Sequence, residues 1–228
     1  MIIAGIQPLS LVDYPQKPCT ILFTQGCIFR CSYCHNPDLI PFDATSPKNI
    51  EEVFEFLKSR KSVVDAVCIT GGEPTIHTGL GEFIRKLKAE GFFVKLDTNG
   101  ISPTVTEKLI SENLVDYIAM DVKAPWHKYL DVIKRGGQAT VDACKKTFGI
   151  IQDSGVAHEF RTTVFPSVHV KEDFFEMARY LIQDEHYFIQ KTSFKKTLEP
   201  LDATDLLDVD SIIKEMREVF PQVHIGVR

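Results

Sequence analysis

Residues 19–34 read CTILFTQGCIFRCSYC and join a β-strand pattern to a loop that contains three cysteines. The strand pattern is the apolar run 19–23, and Cys27, Cys31 and Cys34 follow it with the spacing C-x3-C-x2-C. Similar short runs return along the chain and alternate with longer stretches of helical periodicity. This alternation predicts parallel strands joined by right-handed crossovers, in either a doubly wound sheet or a barrel.

The predicted elements follow one another without a linker, a low-complexity tract or an internal repeat. The strand patterns occupy residues 19–23, 66–70, 92–96, 117–120, 160–164 and 187–190, and a short final strand is predicted at 223–225. The helical patterns occupy residues 50–59, 80–90, 104–111, 142–152, 174–182 and 207–219. We therefore expect a single domain of the α/β class.

The composition is that of an ordinary globular protein, with 228 residues of which 44% are hydrophobic and 25% are charged. The formal net charge of −5 shows no excess of Lys and Arg of the kind that binds a nucleic-acid backbone. No apolar run approaches the roughly 20 residues that a membrane span needs, and the first residues lack the basic region of a signal peptide. We expect a cytoplasmic protein that binds neither nucleic acid nor membrane.

Polar residues are concentrated where the predicted strands end. The second, third and fourth strands run into 71–74 (GGEP), 97–100 (DTNG) and 121–123 (DVK), and the fifth and sixth contain Arg161 and Gln190. In parallel α/β folds these strand ends lie on one rim, where binding sites are built. The sequence therefore predicts one site assembled from several distant segments.

The cysteine loop indicates an iron–sulfur centre with an open position. Three thiolates on a tight loop can each bind a different iron of one cubane cluster, whereas clusters used only for electron transfer usually have four. The alternative is a structural zinc site with His35 as a fourth ligand. The zinc site is disfavoured because Cys34 and His35 are adjacent in the chain, and binding one ion with both side chains would strain the loop. The isolated Cys19, Cys68 and Cys144 are interpreted as packing residues.

Residues 26–37, GCIFRCSYCHNP, resemble the signature of the radical S-adenosylmethionine (radical SAM) superfamily, including the aromatic Tyr33 before the last cysteine. Together with residues 120–125, MDVKAP, they are similar to the glycyl-radical-enzyme activating proteins, and among these to the anaerobic ribonucleoside-triphosphate reductase activating group. The resemblance implies a partial (β/α)6 TIM-type barrel of parallel strands in one domain. Its expected parts are an N-terminal extension (1–17), a core barrel (18–191) and a C-terminal helix and strand (200–228).

The resemblance also implies the cofactors and the reaction. A [4Fe-4S] cluster on Cys27, Cys31 and Cys34 leaves one iron for the amino and carboxylate groups of S-adenosylmethionine. An electron from the cluster then cleaves this cofactor into methionine and a 5′-deoxyadenosyl radical. In activating proteins the radical takes a hydrogen atom from a glycine of a glycyl radical enzyme. The implied partners are anaerobic ribonucleotide reductase and, as electron donor, a flavodoxin or ferredoxin.

By the same resemblance, the rim residues contact S-adenosylmethionine. The 71–74 turn meets its amino group through a strand-terminal carbonyl or Glu73, and Lys123 meets its carboxylate. Asp97 and Asp121 imply a monovalent cation beside that carboxylate. The predicted cofactor-binding residues are Tyr33, Gly71, Gly72, Glu73, Asp97, Asn99, Asp121, Lys123, Arg161 and Gln190.

Several alternatives stay open. The two glycine-containing motifs can be plain turns, Lys123 can form an exposed salt bridge, and Arg161 and Gln190 can make structural hydrogen bonds. A radical enzyme acting on a small molecule, in cofactor or modified-nucleoside synthesis, would have a small polar pocket closed by the segment after Gln190. A zinc-stabilised binding module would have no turnover.

The short barrel favours a protein substrate. His169 is the histidine nearest the fifth strand's rim.

Replacing Cys31 with Ala is expected to abolish cluster binding and 5′-deoxyadenosine production, because only two of the three thiolate ligands of the cubane cluster remain. Iron and sulfide analysis of the reconstituted protein, followed by chromatography of the product, measures both. Cys19→Ala, at an isolated position, is the matched control. Product formation by the Cys31 variant would refute its assignment as an iron ligand.

Overall fold

The described residues of the protein form one eight-stranded sheet, in which the strands follow one another in the order of the sequence. A computed structural model describes residues 1–43, 46–192, 197–199 and 207–228. Strand β2 pairs antiparallel with β1, and all later neighbours pair parallel. The strands are β1 (Ile3–Ser10), β2 (Cys19–Thr24), β3 (Ala66–Gly71), β4 (Phe93–Thr98), β5 (Tyr117–Asp121), β6 (Ala157–Thr163), β7 (His186–Gln190) and β8 (His224–Val227).

Helices cross over between the parallel strands, so the predicted α/β class is confirmed. They are α1 (Ile50–Ser59), α2 (Leu80–Ala89), α3 (Pro103–Ser111), α4 (Tyr129–Ile133), α5 (Gln138–Asp153), α6 (Lys171–Ala178) and α7 (Val209–Val219). The short α4 was not predicted, and α5 begins four residues before its predicted start at 142. Of the expected C-terminal unit, 200–228, the first seven positions lie outside the described residues.

Within the expected N-terminal extension, 1–17, residues 3–10 form a strand of the sheet, which the sequence patterns did not predict. Gln7 pairs with Ile21 of β2, and the side chain of Ile3 is fully buried. The eight residues IAGIQPLS include Gly5 and Pro8, which weaken a strand pattern. Proline is accepted here because β1 is an edge strand, where one row of amides needs no partner.

The sheet has apolar residues on both sides. One large cluster fills the space between the sheet and the helices, and Ile69, Leu96 and Phe160 are fully buried in it. Inside the curve of the sheet, a smaller cluster comprises Tyr14, Cys19, Ile21, Ala66 and Cys68. The three isolated cysteines are all fully buried in these clusters, as the packing interpretation predicted. Among the described helices, none is long and apolar enough to span a membrane.

Replacing Ile3 with Ala tests whether β1 is part of the core. We expect the free energy of unfolding to fall by about 2–5 kcal/mol, as for a large side chain deleted from a packed interior. The matched control is Val12→Ala, at a side chain that is 82% exposed, where the change should stay within about 0.5 kcal/mol. Urea unfolding measures both, and equal effects would show that β1 is dispensable.

Candidate active site

A cavity of about 390 Å³ opens where the parallel strands end. Every residue that the sequence predicted for the site lines it, and these residues are Cys27, Cys31, Tyr33, Cys34, Gly71, Gly72, Glu73, Asp97, Asn99, Asp121, Lys123, Arg161 and Gln190. Another cavity, of about 520 Å³, lies by the amino ends of β6 and β7 and contains none of them. The structure thus brings segments more than 160 residues apart into one site.

Backbone hydrogen bonds hold the cysteine loop, residues 25–36, against its neighbours. The amide of Cys27 donates to the Ile40 carbonyl at 3.1 Å, and the amide of Arg30 donates to the Ile133 carbonyl at 2.9 Å. The Arg30 guanidinium in turn donates to the carbonyls of Cys27 and Phe29, both at 2.8 Å. These bonds satisfy polar backbone groups that a buried loop would otherwise leave unpaired.

Of the three thiols of this loop, Cys31 is buried and Cys27 and Cys34 are half-buried, and all three are protonated when free. Burial raises the pKa of Cys27 to about 11 and that of Cys31 to about 12, and it also raises the pKa of Cys34. Binding a metal cluster would therefore release these protons. Over the described ranges, no three His, Cys, Asp or Glu side chains are grouped to hold a metal ion. The cluster ligands stay a prediction, which the thiolate chemistry of this donor set fits.

The glycine turn is seated directly on the cysteine loop. A Cβ at Gly72 would lie 2.1 Å from the carbonyl oxygen of Gly26, and one at Gly71 would lie 2.5 Å from the Thr24 amide nitrogen. Gly71 also has a φ of +113°, which side chains disfavour. The amide of Glu73 donates to the Gly26 carbonyl at 2.8 Å. Only glycine allows this close approach.

Glu73 joins the glycine turn to the DTNG turn. Its Oε1 accepts from the Thr75 amide at 3.0 Å and from the Thr98 hydroxyl at 2.8 Å. Its Oε2 accepts from the Asn99 amide at 2.7 Å. Because the fully buried carboxylate already has these donors, the geometry favours a strand-terminal carbonyl, the other acceptor that the sequence offered, for the cofactor's ammonium.

A run of buried charges crosses the floor of the cavity. Arg161 donates through Nη1 to Asp97 at 3.3 Å and through Nε to Asp121 at 2.9 Å. Lys123 donates to the other oxygen of Asp121 at 3.0 Å, and Lys95 is paired with Asp97. The alternative of an exposed salt bridge is thus excluded for Lys123, because its side chain is only 11% exposed.

These pairs set the charge of each group. Burial alone would raise the pKa of Asp97 and Asp121, but Arg161 and one lysine beside each carboxylate outweigh it and hold both values low. Burial alone would lower the pKa of Lys123, but Asp121 raises it well above the ordinary range. The groups are therefore charged at neutral pH. A guanidinium stands between the two carboxylates for which the resemblance implied a monovalent cation, and that cation stays a prediction.

Tyr33 and Gln190 complete the walls. The buried Tyr33 hydroxyl has no hydrogen-bond partner among the described residues, and its ring packs edge-on against Phe165 at 5.6 Å between centroids. A buried hydroxyl without a partner is costly, so a ligand with a polar group would fit here. Gln190 accepts from the Thr163 hydroxyl at 3.3 Å, which is the structural role weighed for it.

Sequence reasoning missed some residues of the cavity. Gln7 and Asp13 line it because β1 belongs to the sheet. Lys95, 1% exposed, does not line the cavity but pairs with Asp97, which lies two positions further along β4. Since side chains two apart in a strand share a face, this spacing was a signal that Lys95 points the same way as Asp97.

A family model described as the radical SAM superfamily matches residues 21–181, which is more than half of the chain. The chain belongs to the radical SAM superfamily. A protein of Methanocaldococcus jannaschii, named as a candidate glycyl-radical enzyme activating enzyme, is 36% identical over 90% of this chain and 82% of its own length. The pyruvate formate-lyase-activating enzyme of Listeria monocytogenes is 34% identical over 52% of each chain.

Two solved structures show the same fold. Streptococcus suis SuiB bound to S-adenosylmethionine superposes with a TM-score of 0.71 at 14% identity, over 91% of this chain and 51% of SuiB. Escherichia coli QueE superposes with a TM-score of 0.59 at 15% identity, over 100% of this chain and 93% of QueE. The predicted partial barrel is confirmed. Membership makes this chain a radical SAM enzyme and implies a [4Fe-4S] cluster and S-adenosylmethionine as its cofactors.

Replacing Gly72 with Ala is expected to lower the free energy of unfolding by more than about 1 kcal/mol and to weaken cluster binding, because the new methyl group must push the cysteine loop away. Gly149→Ala is the matched control. A Cβ at Gly149 meets nothing within 4 Å in α5, so this change should stabilise the protein by about 0.5–1 kcal/mol. Urea unfolding and iron content measure the outcome, and similar effects at both positions would contradict the close packing.

Proposed function

We propose that this protein is the activating enzyme of a glycyl radical enzyme. The observation that supports it is the 36% identity to the Methanocaldococcus jannaschii relative over 90% of the chain, because the matched region includes the whole rim. The reaction is the removal of a hydrogen atom from a glycine Cα of the partner, which leaves the partner with a glycyl radical. The hydrogen atom ends on 5′-deoxyadenosine.

The chain's own side chains would hold the two cofactors as follows. Cys27, Cys31 and Cys34 would bind the cluster, which when bound supplies the electron that cleaves S-adenosylmethionine. Lys123 would donate to the carboxylate of S-adenosylmethionine, and the strand-terminal carbonyls beside Gly71 would accept from its ammonium. The floor of paired charges keeps these groups in place, and burial keeps water away from them.

The proposed partner is anaerobic ribonucleotide reductase. The support is the resemblance of residues 26–37 and 120–125 to the activating proteins of that reductase. A flavodoxin or ferredoxin is the proposed electron donor. A cytoplasmic location fits the cysteines, because all six are free thiols. Of the segment after Gln190 that would close a small-molecule pocket, residues 193–196 and 200–206 lie outside the described ranges.

The test is to combine the reconstituted protein, a reductant, S-adenosylmethionine and the anaerobic reductase under argon. We expect a glycyl doublet in the electron paramagnetic resonance spectrum and one 5′-deoxyadenosine per radical formed. The Cys31→Ala variant should give neither, and Cys19→Ala should give both. Cofactor cleavage without a radical on this reductase would overturn the assignment of the partner. Such cleavage without a radical on any glycyl radical enzyme would overturn the activating function.

A further inference from the structure

His169 lies in the loop between β6 and α6, is 1% exposed, and has both ring nitrogens in hydrogen bonds. The Phe165 amide donates to Nδ1 at 2.9 Å, so the neutral ring has its proton on Nε2. Nε2 then donates to the carbonyl of Lys123 at 2.9 Å. Burial lowers the pKa of His169 to about 4, which keeps the ring in this neutral form near pH 7.

Lys123 needs such support because it lies beyond the end of β5 at Asp121. The ladder between β5 and β6 continues only as far as the amide of Val122, which donates to the Arg161 carbonyl at 2.8 Å. The carbonyl of Lys123 is held by His169 at 2.9 Å, and the buried hydroxyl of Tyr129 donates to the carbonyl of Asp121 at 3.4 Å. Side chains from other elements therefore hold the backbone of this segment, and His169 is the one that holds Lys123, whose side chain lines the cavity.

The same histidine also holds the turn that carries Phe165. Its own amide donates to the Phe165 carbonyl at 2.8 Å, so ring and backbone together hold Phe165. The Phe165 ring packs on Tyr33, and the Lys123 ammonium nitrogen lies 5.7 Å from the centroid of the Tyr33 ring. His169 thus connects Lys123 and Tyr33, two neighbouring residues that line the cavity.

We propose that His169 is a positioning residue, which sets the Lys123 ammonium where the carboxylate of S-adenosylmethionine binds. This inference rests on the proposed function, since the contact between Lys123 and the cofactor is part of it. His169 acts through the backbone of Lys123 and takes no part in the chemistry. A charge-assisted contact in a buried site is sensitive to small displacements, so loss of this anchor should weaken binding.

Two substitutions separate the two hydrogen bonds of the ring. In His169→Gln, the side-chain amide nitrogen can reach the position of Nε2 and donate to Lys123, while the acceptor for Phe165 is lost. In His169→Asn, the side-chain oxygen can replace Nδ1 as the acceptor for Phe165, but nothing reaches Lys123. His127→Asn is the control, because the His127 side chain is 59% exposed.

The measurement is the dissociation constant of S-adenosylmethionine for cluster-loaded protein, by anaerobic equilibrium dialysis, with urea unfolding of each variant beside it. We expect His169→Asn to weaken binding about tenfold or more, and His169→Gln to restore it to within about threefold. His127→Asn should bind as the wild type does. Equal losses of affinity in the Asn and Gln variants would show that His169 has only a structural role and would overturn the proposal.

A double variant shows whether the effect passes through Lys123. Lys123→Met should weaken binding by itself, and adding His169→Asn should cost no further affinity, because the ammonium it positions is gone. Losses that add, or no loss in Lys123→Met, would overturn the inference. These affinities are independent of any partner protein. Failure to form a glycyl radical while the affinities behave as expected would therefore overturn the proposed function alone.

Discussion

The cavity depends on a chain of buried charges that alternate in sign across three neighbouring strands. Arg161 of β6 bonds to Asp97 of β4 and to Asp121 of β5, and each carboxylate has a lysine on its far side. Buried charges persist only when each has a partner of opposite sign. Three cations against two carboxylates leave one positive charge, and Glu159, 3.9 Å from Arg161, is itself paired with Arg228. The surplus suits an anionic group of a ligand.

A second constraint, a close backbone contact, joins this charged floor to the cysteine loop. Gly72 lies so near the Gly26 carbonyl that no side chain fits between them, and the buried Glu73 ties the glycine turn to Asn99. The Asn99 side chain then reaches the Cys27 sulfur at 3.7 Å. A displacement at one of these turns would pass to the thiols. The site is therefore one connected unit, although its parts come from separate crossovers.

Much of the fold and of the site could be predicted because both depend on local patterns. The alternation of short β-branched runs with helical periodicity predicted β2 to β7, and turn residues after the strands pointed to the rim where Gly71, Asp97 and Lys123 lie. Strand β1 could not be predicted in this way, since Gly5 and Pro8 interrupt its pattern. Pairing with β2 decides that this segment is a strand, and the residues of the segment by themselves do not predict that pairing.

The sequence by itself determined the chemistry of this protein. Three thiols at C-x3-C-x2-C spacing, glycines where a turn follows a strand, and charged residues beyond strand ends are set by residue type and by distance along the chain. The tertiary structure alone decided which of these groups are already satisfied. Glu73 is used by the neighbouring turn, Arg161 stands between two carboxylates, and His169 holds Lys123. Hydrogen bonds and ion pairs between distant segments depend on distances through space, which only the folded chain defines.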